Sequence, residues 1–299
     1  MGKISDLLDK QAVIILDSAM GTELESRGVD ISLPLWSARA LIDNPDTVRQ
    51  IHIDNIDAGA DIITTNTFRT QRRTFEKANF SYQGLDFSGT ARALTETAVE
   101  IAKDAVMITS DDVIIAGSIA PLEDCYRPDL VPDTDTLCTE HYENVLNLTD
   151  AGADILLPET MNSVREISAV LNQIHKTGKE YLISMICRNS DELLSGEKIK
   201  DAVNIIDKFS PSAIMVNCIH PSMGENLLKA LKNLTDKPLG IYANVGEAEH
   251  EKNTRFETDV TPLQYYNFAV KWKALGAVII GGCCGTTPGF TGKISNLRN

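Results

Sequence analysis

The sequence predicts an α/β protein folded as a single (β/α)8 barrel of the TIM type, with residues 1–299 forming one domain. Three observations carry that expectation. Eight short runs rich in Ile, Val and Leu recur with little polar alternation, as strands covered on both faces require. Stretches long enough for a return helix separate them. The phrase DAGADI occurs at 57–62 and again at 150–155, and each time reads as a helix end, a tight turn and a strand start. A doubly wound open sheet is the rival arrangement, and the count of eight favours closure.

In chain order the strand candidates are VIILD (13–17), DIITTN (61–66), VIIAGSI (113–119), DILLPET (154–160), YLISMIC (181–187), AIMVNCI (213–219), PLGIYAN (238–244) and AVIIGGC (277–283). The segment 44–60 opens on Asn-Pro and closes at Gly59, which is sound helix punctuation. Residues 88–106 are rich in Ala and Glu, and 136–153 end on the second A-G-A phrase. In 162–178, Ser163 is placed to cap a helix and Gly178 to stop it. The last helix is short, because only TGKISNLRN follows the final loop. Long polar loops at 120–136 and 245–260 follow strands three and seven. They leave the carboxyl ends of the strands, where barrel enzymes build their sites.

Composition narrows the function. A hydrophobic content of 43% supplies a sizeable core, and no apolar run approaches the roughly 18 residues of a membrane helix. The N-terminal MGKISDLLDKQ lacks the apolar middle of a secretory signal. A net charge of −14 repels nucleic acid and anionic membrane, which leaves small molecules as partners. The six cysteines are sparse and unevenly spaced, as in a cytoplasmic protein with reduced thiols rather than a disulfide framework.

The predicted strands bring a specific set of residues to one mouth: Asp17 from the first, Thr65 and Asn66 from the second, Glu159 and Thr160 from the fourth, Asn217 and Cys218 from the sixth, Asn244 from the seventh, Cys283 and Cys284 from the eighth. Adjacent side chains on a regular strand point to opposite faces. Gly281, Gly282 and Gly285 around the cysteine pair allow a bend that turns both sulfurs to one point. Three thiolates form a soft set that selects Zn²⁺, and three protein ligands leave the fourth position open, as in catalytic sites. Packing, or a vicinal redox dithiol at Cys283 and Cys284, are the alternatives. Cys125, Cys138 and Cys187 read as packing residues, His220 as a loop residue, and His52, His141, His175 and His250 as surface groups. Asp17 and Glu159 together suit a substrate ammonium where water is partly excluded.

The phrases LDSAMGTELESRG (16–28), GADIITTNTF (59–68), GSIAP (117–121), GADILLPET (152–160), VNC (216–218) and GGCCGTTP (281–288) make the chain resemble the homocysteine S-methyltransferase family over nearly its whole length. The resemblance implies a zinc-dependent barrel with Cys218, Cys283 and Cys284 as ligands and homocysteine sulfur as the fourth. It implies that the homocysteine amino group meets Asp17 and Glu159. Its carboxylate would meet backbone amides near Ser18 and Ala19, with Thr65 nearby; Asn217, within VNC, is counted among the substrate contacts. LWSA at 35–38 and the N-terminal phrase lean toward the compact branch that uses a sulfonium donor, S-methylmethionine or S-adenosylmethionine. Arg69 stands where the betaine-using branch tends to carry Tyr, so a betaine-type donor ranks second. Donor contacts are expected from the loops at 120–136 and 245–260.

Overall fold

A computed structural model describes residues 2–246 and 259–298. Most of the 245–260 loop therefore lies outside the described residues, as does His250. The eight anticipated strands all form: β1 Ile14–Ile15, β2 Ile62–Thr64, β3 Ile114–Ile119, β4 Ile155–Pro158, β5 Leu182–Met185, β6 Ala213–Asn217, β7 Leu239–Ala243 and β8 Ala277–Gly282. Every pairing between these strands is parallel. Regular ladders give two sheets, one ordered β1-β8-β7-β6-β5 and one ordered β2-β3-β4.

The ladders thin at two seams. Between β1 and β2 one bridge, Leu16 to Ile62, and two amide bonds, Asp61 to the Ile15 carbonyl and Asp17 to the Ile62 carbonyl, join the sheets. Between β4 and β5 the links are bridges from Leu156 to Tyr181 and from Met161 to Met185. Inward residues of all eight strands meet in one buried cluster, including Ile14, Ile62, Ala116, Leu157, Leu182, Met215, Tyr242 and Ile279. A second and larger cluster packs the outer faces of the strands against the return helices.

The helices follow the sequence punctuation. Pro45–Asp57 starts with Pro in its first turn, and Ser163 caps Val164–His175 through the Glu166 amide. Thr134–Ala151 ends at Gly152, whose φ of +84° no β-carbon-bearing residue adopts cheaply. An unanticipated helix, Lys3–Lys10, covers the amino ends of the strands. Its Ile4 is fully buried among the inward strand residues, a burial worth about 1.5–3 kcal/mol.

Two expectations fail. His52 and His141 are fully buried rather than at the surface, since both lie on the inner faces of their helices. His141 Nε2 meets Glu166 Oε1 at 3.0 Å, and the same oxygen accepts the Leu122 amide at 2.8 Å, which ties down the loop after β3.

Candidate active site

The three thiols singled out by sequence converge. Cys218, Cys283 and Cys284 place their sulfurs within 4.8 Å of one another, and Cys218 Sγ stands 2.9 Å from Cys283 Sγ. Two backbone devices produce this. Cys218 follows β6 with a φ of +53°, a left-handed conformation that costs about 1–3 kcal/mol for a residue with a β-carbon. It breaks the strand alternation and brings the thiol to Cys283. After β8, the chain turns sharply: Gly285 has a φ of +81°, and a β-carbon on Gly282 would lie 2.3 Å from Thr286 Oγ1. The Cys284 amide donates to Asn244 Oδ1 at 3.1 Å, fixing the turn to the end of β7.

Asn217 supports the cluster from below. It is fully buried, its Oδ1 accepts the Thr160 amide at 3.0 Å and Ser184 Oγ at 2.7 Å, and its Nδ2 donates to Thr160 Oγ1 at 2.8 Å and to Cys218 Sγ at 3.5 Å. Thr160 is itself left-handed, at a φ of +57°.

The donor set fits a soft metal ion. Zinc bound at about 2.3 Å sets tetrahedral sulfurs about 3.8 Å apart, and the observed group brackets that spacing at 2.9 Å and no more than 4.8 Å. Contact with Cys218 and burial, partly offset by Cys284, hold the Cys283 thiol well above its ordinary range. Three sulfurs this close ionise together only with a cation among them. The remaining cysteines, Cys125, Cys138 and Cys187, lie outside the group. So does His220, whose Nδ1 meets Ser222 Oγ at 2.7 Å.

At the same carboxyl ends of the strands stand two carboxylates. Asp17 accepts the Thr64 amide at 2.7 Å and the Thr64 hydroxyl. Glu159 accepts from Ser118 Oγ and, at 3.1 Å, from the Tyr242 hydroxyl. Burial pushes the Asp17 carboxyl up to about 8, against the pull of the Thr64 bonds, and Glu159 adds its repulsion. Burial likewise raises Glu159, opposed by Ser118 and Tyr242. No cationic side chain among the described residues pairs with either acid.

Other anticipated contacts are placed differently. The Ser18 amide and hydroxyl both donate to Asn55 Oδ1, at 3.0 and 2.8 Å, and the Ala19 amide donates to Thr286 Oγ1 at 3.2 Å. The amides expected to hold a carboxylate thus already have internal acceptors. Thr65 Oγ1 lies 2.7 Å from Thr67 Oγ1 and accepts the Ser118 amide; Thr64, its neighbour, is the threonine that touches Asp17. Sequence reasoning missed Thr64, Ser118 and Tyr242 as partners of the acids. Ser118 sits inside the GSIAP phrase and Tyr242 alternates inward on β7, so both carried a signal. Thr286 likewise lies inside the GGCCGTTP phrase; Asn55 carried no signal, because only folding brings it beside residue 18.

Comparison with known proteins agrees with this arrangement. The model of the homocysteine S-methyltransferase family matches residues 14–297. The homocysteine S-methyltransferase of Escherichia coli K12 is 33% identical over 296 residues, covering 94% of each chain. The homocysteine S-methyltransferase YbgG of Bacillus subtilis is 31% identical, covering 96% of this chain and 95% of that protein. The metallated crystal structure of the E. coli homocysteine methyltransferase MmuM superposes with a TM-score of 0.85 at 31% identity, over 98% of this chain and 99% of that one. A matching family model across nearly the whole length, relatives of the same extent and a shared fold together place this chain in the homocysteine S-methyltransferase family of enzymes.

Proposed function

We propose that the protein transfers a methyl group from a sulfonium donor, S-methylmethionine or S-adenosylmethionine, to the sulfur of L-homocysteine, with zinc held by Cys218, Cys283 and Cys284 at the mouth of a closed (β/α)8 barrel. The observation that carries the reading is the meeting of three sulfurs that follow β6 and β8, together with buried Asp17 and partly buried Glu159, neither of which pairs with a cationic side chain among the described residues. Closure is supported by the seam bridges, which give every strand two parallel neighbours.

When bound, zinc supplies the Lewis acidity that keeps an incoming thiol deprotonated and nucleophilic at neutral pH. The chain's own residues do the rest. Asp17 and Glu159 bind the homocysteine ammonium, and the cation draws both carboxyls into their charged form. Thr64, Ser118 and Tyr242 orient the two acids toward it. Asn217 acts as a positioning residue: its amide N–H holds the Cys218 sulfur, and its other bonds lock Thr160. The homocysteine sulfur attacks the donor methyl carbon in line. A new carbon–sulfur bond forms as the old one breaks, and the electron pair leaves on the donor sulfur, which becomes a neutral thioether. No proton leaves carbon, so no general base is needed at the methyl group, and positioning supplies the rate.

The test is direct. Zinc-loaded protein given homocysteine and each donor in turn should form methionine, with about one zinc per chain released on thiol alkylation. Turnover that survives complete metal removal overturns the zinc assignment, and faster turnover with betaine overturns the sulfonium assignment.

A further inference from the structure

Tyr265 lies in the helix Pro262–Ala274, which follows β7 in the chain, and is fully buried. Its ring is held on two sides. Trp272 and Phe290 meet it edge-on, with centroids 5.4 and 5.7 Å away and interplanar angles of 85° and 84°. Packing alone asks for no more than a phenylalanine there, and a buried hydroxyl is costly unless it is bonded. This hydroxyl accepts the Ala243 amide at 2.9 Å and donates to the Gly281 carbonyl at 2.6 Å; the Ala243 carbonyl, at 3.3 Å, is the more distant acceptor. Ala243 pairs with Gly282 in the parallel register, which makes that amide and that carbonyl partners in one rung of the β7–β8 ladder. The hydroxyl stands at this rung.

Both groups lead to the sulfurs. The Ala243 carbonyl accepts the Cys283 amide at 2.9 Å. The next two residues continue the clasp. Asn244 Oδ1 accepts the Cys284 amide, and the Val245 amide donates to the Cys284 carbonyl at 3.0 Å. The Asn244 amide donates at 2.8 Å to the carbonyl of Ile219, the residue after Cys218. The end of β7 therefore grips both segments that carry the clustered thiols. On the other side of the rung, Gly281 stands two residues before Cys283 and has no side chain to pack. A β-carbon there would lie 2.6 Å from Leu16 Cβ, and one on Gly282 would lie 2.3 Å from Thr286 Oγ1. This stretch is fixed through its backbone instead, the Gly281 carbonyl by Tyr265 and the Gly282 amide by the Asp17 carbonyl at 3.0 Å.

We propose that Tyr265 is a positioning residue for the zinc ligands: its hydroxyl sets the spacing of β7 and β8 at the rung before Cys283, and through it the spacing of the three sulfurs. This rests on the zinc reading above. Groups of this kind act on metal affinity without touching the ion. Tyr265→Phe keeps the ring and its two edge-on contacts and deletes only the hydroxyl. The Ala243 amide and the Gly281 carbonyl are then left to close on each other, which their register permits. The fold loses little, and the cysteine turn shifts.

The experiment compares the whole chain as wild type, Tyr265→Phe and Tyr181→Phe, with thiols reduced and no substrate present. Tyr181→Phe is the control for a lost tyrosine hydroxyl: that hydroxyl donates to the Phe209 carbonyl at 2.8 Å, at the amino end of β5. Zinc affinity is read by competition with a chromophoric chelator. Co²⁺ loaded in place of zinc reports ligand geometry through its visible absorption. Tyr265→Phe should bind zinc about 10- to 100-fold more weakly than wild type and shift the cobalt spectrum, whereas Tyr181→Phe should match wild type in both. The thermal midpoints of the two metal-free variants should fall alike, by about 4 °C or less. Unchanged zinc affinity and cobalt spectrum in Tyr265→Phe, or equal changes in Tyr181→Phe, would overturn the proposal. So would a far larger fall of the Tyr265→Phe midpoint, since the hydroxyl would then be holding the fold. A wild type that binds neither ion removes the zinc reading itself, and this inference with it.

Discussion

Acids buried or partly buried stand at both ends of the strands, and the two ends treat them differently. At the amino ends, Asp61 accepts the Ile15 amide at 2.7 Å and pairs with Arg298, and Asp154 accepts the Ile115 amide at 2.9 Å and pairs with Lys3 at 2.7 Å. Glu180 accepts the amides of Ile4 and Ser5, both at 3.2 Å, at the positive start of the helix Lys3–Lys10. At the carboxyl ends, Asp17 and Glu159 have donors of similar number but no cationic side-chain partner among the described residues, and burial raises both carboxyls. One end is complete as folded. The other is complete only with its ligands, and strained backbone at Cys218 and Thr160 lies at that end.

The largest effect that separates the two ends comes from the sulfurs. Cys284→Ser should lower turnover by more than about 100-fold, the upper figure for loss of a mere supporting group around a metal. Bound zinc, measured by atomic emission, should fall in parallel. The thermal midpoint of the metal-free protein should stay close to that of wild type, because no core contact is removed. A variant that keeps both zinc and turnover would break the comparison at its strongest point.

Asp17→Asn tests the same end from the acid side. Loss of one charged contact to the homocysteine ammonium should weaken homocysteine binding by roughly 10- to 100-fold. Stability should move the other way. The folded carboxyl, raised to about 8 from an ordinary 3.8, holds its proton across that interval while the unfolded one has lost it. Ligand-free wild type is therefore destabilised progressively as pH rises from about 4 through 8, and Asn removes that slope. Thermal midpoints of wild type and variant at pH 5, 7 and 9 should diverge in favour of the variant as pH rises. Parallel midpoints would mean that Asp17 is already charged in the empty protein.

Much of this contrast was legible in the sequence, and what was not has a physical cause. The eight strands were readable because doubly covered strands need unbroken runs of Ile, Val and Leu. Their final residues then named Asp17, Glu159 and the three cysteines. Which of two consecutive threonines faces Asp17 was not readable, because one residue of register decides it. The left-handed turn at Cys218 was hidden as well, since nothing in VNC announces a positive φ. The amides of Ser18 and Ala19 looked free because their acceptors, Asn55 and Thr286, come from distant segments. The seams between the sheets depend on strand length, which apolar runs overstate: β1 pairs over two residues, not the five of VIILD. The covering helix could have been seen, for Ile4, Leu7 and Leu8 follow the i, i+3, i+4 pattern.

Glu180 tests the other end. The residue before the helix Lys3–Lys10 is Gly2, which has no side chain to cap it, so Glu180 does so from a distant segment. Glu180→Ala should cost about 2–3 kcal/mol by leaving two amides without acceptors and loosening Ile4. Denaturant unfolding should report that loss with kcat/KM unchanged. A fall in kcat/KM without a fall in stability would mean the two ends are coupled.

The smallest effect asks what satisfies the acids at the amino ends, amides or cations. Arg298 pairs with Asp61 but also donates to the Gly59 carbonyl at 2.8 Å, and it is partly exposed. A solvent-facing pair of this kind contributes under about 1 kcal/mol. Asp61 also accepts the Ile15 amide beside the sparse seam between β1 and β2, where the ladder offers few bonds to replace it. Arg298→Met should therefore cost less than about 1 kcal/mol and lose most of that cost in high salt, whereas Asp61→Ala should cost roughly 1–3 kcal/mol regardless of salt. If the two variants were equally destabilised, the cation would be the principal partner. The contrast between the ends would then lie in whether the protein carries its own counter-charge, with the amide bonds secondary at both.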